Sequence, residues 1–169
     1  MGRSAYTMVD VPPVIRIFAQ GQPELDLPRL LAAARTHFSA SLEVLHAPPP
    51  PMKTAHVRLE GARSAYSGDF EITARAARPE DHSAADQAEL AGRAAGMAGL
   101  ARRCPNVWEI RRVDAARPWD EDAALLNLCA ILASVALGPV LPPDSSTLFG
   151  VRGAMERVER SLGRRTLER

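Results

Sequence analysis

Nucleophilic catalysis needs a hydroxyl or thiol beside an oriented base. The chain offers Cys104 and Cys129, the adjacent Ser145 and Ser146, and the histidines His37, His46, His56 and His82. None falls in a nucleophile motif. Cys129 sits in the most apolar stretch, where a neutral thiol is favoured, while Cys104 follows Arg102 and Arg103, whose charge is expected to lower its thiol pKa. Ser145 and Ser146 close the run Pro142-Pro143-Asp144, which is turn chemistry. Zinc requires ligands at short, recurrent spacing, and the histidines show no such pair. His46 and His56 are expected to approach across a hairpin, but two histidines without a third ligand predict no metal site. The acidic runs Glu80-Asp81 and Asp120-Glu121-Asp122 stand just ahead of predicted helices, where they complement the positive helix end.

A six-residue segment, Arg93-Ala94-Ala95-Gly96-Met97-Ala98, resembles the acyl-coenzyme A signature of the GCN5-related acetyltransferases: Gln or Arg, two residues, Gly, one residue, then Gly or Ala. In that family the backbone amides of the loop and the following helix cradle the pyrophosphate. The resemblance implies cofactor contacts at Arg93, Gly96 and Ala98. Here the segment falls inside a predicted helix, whereas the family's loop follows a strand directly.

Positioning these groups requires a fold, and the composition bounds it. The chain has 169 residues, 46% of them hydrophobic, enough for one domain with a substantial core. Charged residues make up 24% and the net charge is +1, which gives no support to nucleic-acid or membrane-surface binding. Aromatic residues are only 5%, too few for an RNA-stacking sheet face. Of 21 cationic residues only Lys53 is lysine, a bias that points to GC-rich bacterial coding. The two cysteines show no framework spacing and predict reduced, buried thiols and a cytoplasmic location. Met1 to Asp10 reads as a disordered lead-in or vector remnant, leaving 11–169 as a single domain. Ala123 to Leu141 is nearly all apolar, but Gly138-Pro139 shortens its helical part and predicts a buried core helix.

Hydrophobic periodicity orders the elements. Val14 to Ala19 alternates as a strand, with Ile15 and Ile17 on one face and Arg16 and Phe18 on the other. Asp26-Leu27-Pro28 caps a helix to Phe38. Leu42 to His46 and Thr54 to Glu60 read as strands joined by Pro48-Pro49-Pro50-Pro51, a stiff connector. Asp69 to Arg75 and Val107 to Val113 alternate again. Between them Ser83 to Cys104 predicts the longest helix, with Gly92, Gly96 and Gly99 marking close backbone packing. A helix from Asp120–Asp122 to Gly138 follows, then a short hairpin or edge and a C-terminal amphipathic helix from Arg152 to Leu167. This order predicts an α+β, two-layer sandwich: a mainly antiparallel sheet with helices on one face.

The other face then carries Arg16, His56, Arg58, Glu60, Glu71, Thr73, Arg75, Glu109 and Arg111. With no chemical motif to set against it, the leading expectation is a non-enzymatic bacterial interaction protein, immunity-like or accessory. It would bind a protein partner through Arg16, Arg58, Glu71, Arg75 and Arg111, or through the C-terminal helix. Met155, Val158 and Leu162 form that helix's stripe, which could dock on the domain or on a second copy. The alternative is an acyl-coenzyme A-dependent acetyltransferase. The third reading is a small-ligand domain with a pocket beside the glycine-rich helix.

Overall fold

Among the described residues five helices and six strands follow one another as β1 (Ile15–Ala19), α1 (Leu27–His37), β2 (Ser41–His46), β3 (Thr54–Glu60), β4 (Ser67–Ala76), α2 (Pro79–Gly92), α3 (Met97–Arg102), β5 (Asn106–Arg112), α4 (Ala123–Ala136), β6 (Val140–Leu141) and α5 (Val151–Leu167). The computed structural model describes residues 14–21 and 23–167. The expected lead-in over Met1 to Asp10 lies outside the described residues. The strands form one sheet in the order β2-β3-β4-β5-β1-β6, and every neighbouring pair is antiparallel. The α+β sandwich expected from the periodicity is therefore the fold.

The alternating strands sort their residues as the period of two requires. Ile15, Ile17, Val57, Leu59, Phe70, Ile72, Trp108 and Ile110 all face one large core. Helix α4 crosses that face. It is buried on every side except at Ser134 and Val135, as a helix apolar all round must be. Helices α1 and α5 pack outside it. Both α1 and α4 start on side-chain caps: Asp26 accepts from the Arg29 N–H at 3.2 Å and Asp122 from the Leu125 N–H at 3.1 Å.

The opposite face carries a second, smaller layer. Phe18, Val107 and Leu141 point away from the main core and are covered by α2 and α3 through Ala85, Ala88, Ala98 and Ala101. This layer lies over the end of the sheet at β5, β1 and β6. It arises because Phe18 interrupts the polar alternation of β1 with a large apolar group that needs cover.

One expected element is divided. The long helix predicted over Ser83 to Cys104 starts earlier, at Pro79, and breaks into α2 and α3 at Arg93–Gly96. Arg93 caps α2 in the left-handed conformation (φ 54°), and Gly96 opens α3 at φ 85°. The close packing expected of the glycines is found at Gly92, where an added Cβ would stand 2.7 Å from the Thr147 Cα. Gly99 faces open space.

Candidate interaction face

Antiparallel register lines up the outward-facing residues in rows. Glu43, Arg58 and Asp69 lie opposite one another across β2, β3 and β4, and Val113 extends the row by donating its N–H to the Asp69 carbonyl at 2.9 Å. His46, His56, Glu71 and Arg111 form the next row, and Thr54, Thr73, Glu109 and Arg16 the third. The expected approach of His46 and His56 is observed, with ring centroids 6.2 Å apart. His56 Nε2 is 3.0 Å from a Glu71 carboxylate oxygen. Arg58 grips Asp69 with two donors at 2.8 and 3.1 Å, and this fork holds the Asp69 carboxyl below the usual carboxylate range.

The rows divide the face into two territories. Over the β1 end, Asp81 of α2 reaches down to the sheet. It accepts from Arg75 at 2.7 and 2.8 Å, from Arg16 at 3.0 Å and from the Arg78 N–H at 2.7 Å. Arg75 also donates to Glu109 at 2.7 Å. Burial alone would raise the Asp81 pKa, but the Arg75 and Arg78 hydrogen bonds and the positive charge outweigh it and bring it to about 2. Arg16 and Arg75, both candidates for partner contact, are thus committed to holding α2 on the sheet. The Glu80-Asp81 pair, expected to complement the positive helix end, also supplies this clamp through Asp81.

Over β2, β3, β4 and the far end of β5, by contrast, the face meets solvent. Arg58 is 49% exposed, and Arg111 has no ion-pair partner among the described residues. Leu45, the extra residue where the β2–β3 register shifts, is 43% exposed and Val113 is 52% exposed. Of the five sequence candidates, Arg58, Glu71 and Arg111 stand together here. Glu43, Asp69, Leu45 and Val113 join them. The acids could have been found by continuing the period-two alternation one residue further along β2 and β4; the bulge that exposes Leu45 has no sequence signal.

The segment resembling the acetyltransferase signature forms a left-handed turn into α3. It follows α2 rather than a strand. The amides that would meet a pyrophosphate are occupied from within: Gly96 N–H donates to the Glu89 carboxylate at 2.6 Å, and Ala98 N–H reaches the same oxygen at 3.4 Å. The Ala98 side chain is buried in the smaller core, while Arg93 is exposed. Two surface grooves, of about 610 and 370 Å³, are lined by residues of α1, α4, β2 and the β3–β4 connection, not by the glycine-rich segment.

Both cysteines are buried and free. Burial pushes the Cys104 thiol up to about 11, so the lowering expected from Arg102 and Arg103 does not occur. Arg102 pairs with Asp86 instead, and the Cys104 thiol lies 3.4 Å from the Leu100 carbonyl. Burial raises Cys129 as well. Among the described residues no group of three or more His, Cys, Asp or Glu side chains could hold a metal ion, and no helix is long and apolar enough to cross a membrane.

The apolar stripe of α5 is used inside the domain. Ala154 and Val158 are buried against the main core, with Met155 and Leu162 packed beside them. Ser161 donates to the Glu121 carbonyl at 2.8 Å, and the Arg157 guanidinium lies 4.2 Å from the centre of the Phe149 ring. Compared with protein-family models, with curated protein sequences and with solved structures, the chain matches none.

Proposed function

We propose that this chain is a protein-interaction domain without catalytic chemistry of its own, and that its partner docks on the open part of the sheet face spanning β2 to β5. A bacterial source, a cytoplasmic location and an accessory or immunity-like role belong to the same reading. The observation that carries it is the division of the face: α2 and α3 cover the end where Phe18 needs burial, and the remainder presents ordered rows of charge flanked by exposed Leu45 and Val113. Ordered charge with apolar residues at its edge suits a protein surface better than a small molecule. Glu43, Glu60, Asp69 and Glu71 outnumber Arg58 and Arg111 there, so a net basic partner surface is favoured. The use of the α5 stripe by α4 supports this face over the C-terminal helix as the docking surface.

The test is capture of partners by the immobilised protein from a lysate of its own source, comparing wild type, Glu43→Lys/Glu71→Lys and Arg152→Glu/Arg160→Glu. The face variant is expected to lose the captured partner with an unchanged melting temperature, and capture by wild type should weaken as salt is raised. Equal capture by the face variant would remove the proposal.

A further inference from the structure

The 610 Å³ groove lies at the edge of the sheet, between the C-terminal end of α1, the start of β2 and the turn Ala62–Ser64 that joins β3 to β4. Its lining mixes two chemistries. Leu31 and Leu42 supply an apolar floor, while Arg35 of α1 and Arg63 of the β3–β4 turn also line the groove, both exposed and both without an ion-pair or hydrogen-bond partner among the described residues. Ser39 and Ser41 add hydroxyl groups from the α1–β2 connection.

The backbone around the groove is unusual in the same place. Of the six non-glycine residues with left-handed φ among the described residues, three line this groove: Ser39 at 50°, Arg63 at 57° and Ser64 at 53°. Such positions ordinarily favour glycine or asparagine. Filling them with polar or charged side chains keeps donors at the rim at a conformational cost, a pattern that gathers at binding sites. The one acid in the groove, Glu60, accepts a hydrogen bond from the neutral Ser64 hydroxyl, and among the described residues no ion pair joins it to Arg35 or Arg63, so both guanidinium groups keep their donors free.

We infer that this groove binds a small organic oxyanion, a carboxylate or phosphate carried on an apolar body, with Arg35 and Arg63 holding the charged group and Leu31 and Leu42 the body. Arginine pairs suit both oxyanions because the guanidinium fork matches their geometry. The inference does not rest on the docking face: the groove shares Glu60 with that face but takes its charge from Arg35 and Arg63, which the face does not use.

The test is a titration of the full chain, at constant ionic strength, with phenyl phosphate, benzoate and benzyl alcohol, followed by backbone amide NMR. One of the two anions is expected to give saturable shifts at residues 39–42 and 60–64, with a Kd on the order of 1 mM. Benzyl alcohol should bind at least about tenfold more weakly. The exposed double variant Arg35→Gln/Arg63→Gln should weaken the anion about tenfold while Arg93→Gln leaves it unchanged. A stronger response to phenyl phosphate assigns a phosphoryl ligand and a stronger response to benzoate a carboxylate. Linear shifts without saturation, shifts spread over arginines elsewhere, or an unchanged Kd in the double variant would overturn the inference.

Discussion

Removing the carboxylate of Asp81 should loosen α2 from the sheet. Asp81 is 2% exposed and is met by Arg16, Arg75 and the Arg78 amide. Deleting one partner of a fully buried ion pair costs about 3–5 kcal/mol. The Arg16 and Arg75 side chains keep 26% and 17% exposure, and Arg75 retains Glu109. For Asp81→Ala a smaller loss of about 2–3 kcal/mol is therefore expected, a fall of about 5–10 °C in Tm for a chain of this size. Acid should then abolish the difference. The folded-state pKa of Asp81 is about 2, below its ordinary value of 3.8. Its stabilisation is thus present in full above about pH 4 and lost as pH falls through the folded value, about 2 kcal/mol in all. Urea unfolding of wild type and Asp81→Asn across this range should show a gap at pH 7 that closes towards pH 2. A gap below about 0.5 kcal/mol at pH 7, or one that stays constant into acid, would refute the clamp.

Substituting the glycines of the α2–α3 region should give opposite signs: Gly92→Ala loses about 1–3 kcal/mol because its Cβ would collide with Thr147, whereas Gly99→Ala, with open space around it inside α3, gains about 0.5–1 kcal/mol by helix propensity. Chemical denaturation measures both. In the folded protein neither thiol should react appreciably with a disulfide reagent at pH 8, because both are buried and Cys104 titrates only near 11; rapid labelling of one thiol under native conditions would contradict the burial. Native mass spectrometry with acetyl-coenzyme A should show no adduct, since Glu89 occupies the Gly96 and Ala98 amides; a stoichiometric adduct would restore the acetyltransferase reading.

Strands β3, β4 and β5 were legible because each alternates cleanly, and Thr54–Glu60 has the bounds its pattern predicts. Helix α4 was legible as a core helix from its apolar run, broken only by Asn127 and Ser134. The break between α2 and α3 was not, since Arg93 carries no signal for a left-handed cap and alanines on both sides continue the helical pattern. The site was half legible. Alternation placed Arg16, Arg58, Glu71, Arg75 and Arg111 on one face, but only a long-range contact decides which of them remain open. Asp81 is 65 residues from Arg16, and its role as an anchor has no local signature. Phe18 was the available hint that part of this face is covered.

The docking claim is tested most directly by arginine-selective covalent labelling of the captured complex, read by mass spectrometry residue by residue. Arg58 and Arg111 should be protected by the partner while Arg152 and Arg160 on α5 label as in the free protein. Protection of the α5 arginines with Arg58 and Arg111 left fully reactive would contradict the account.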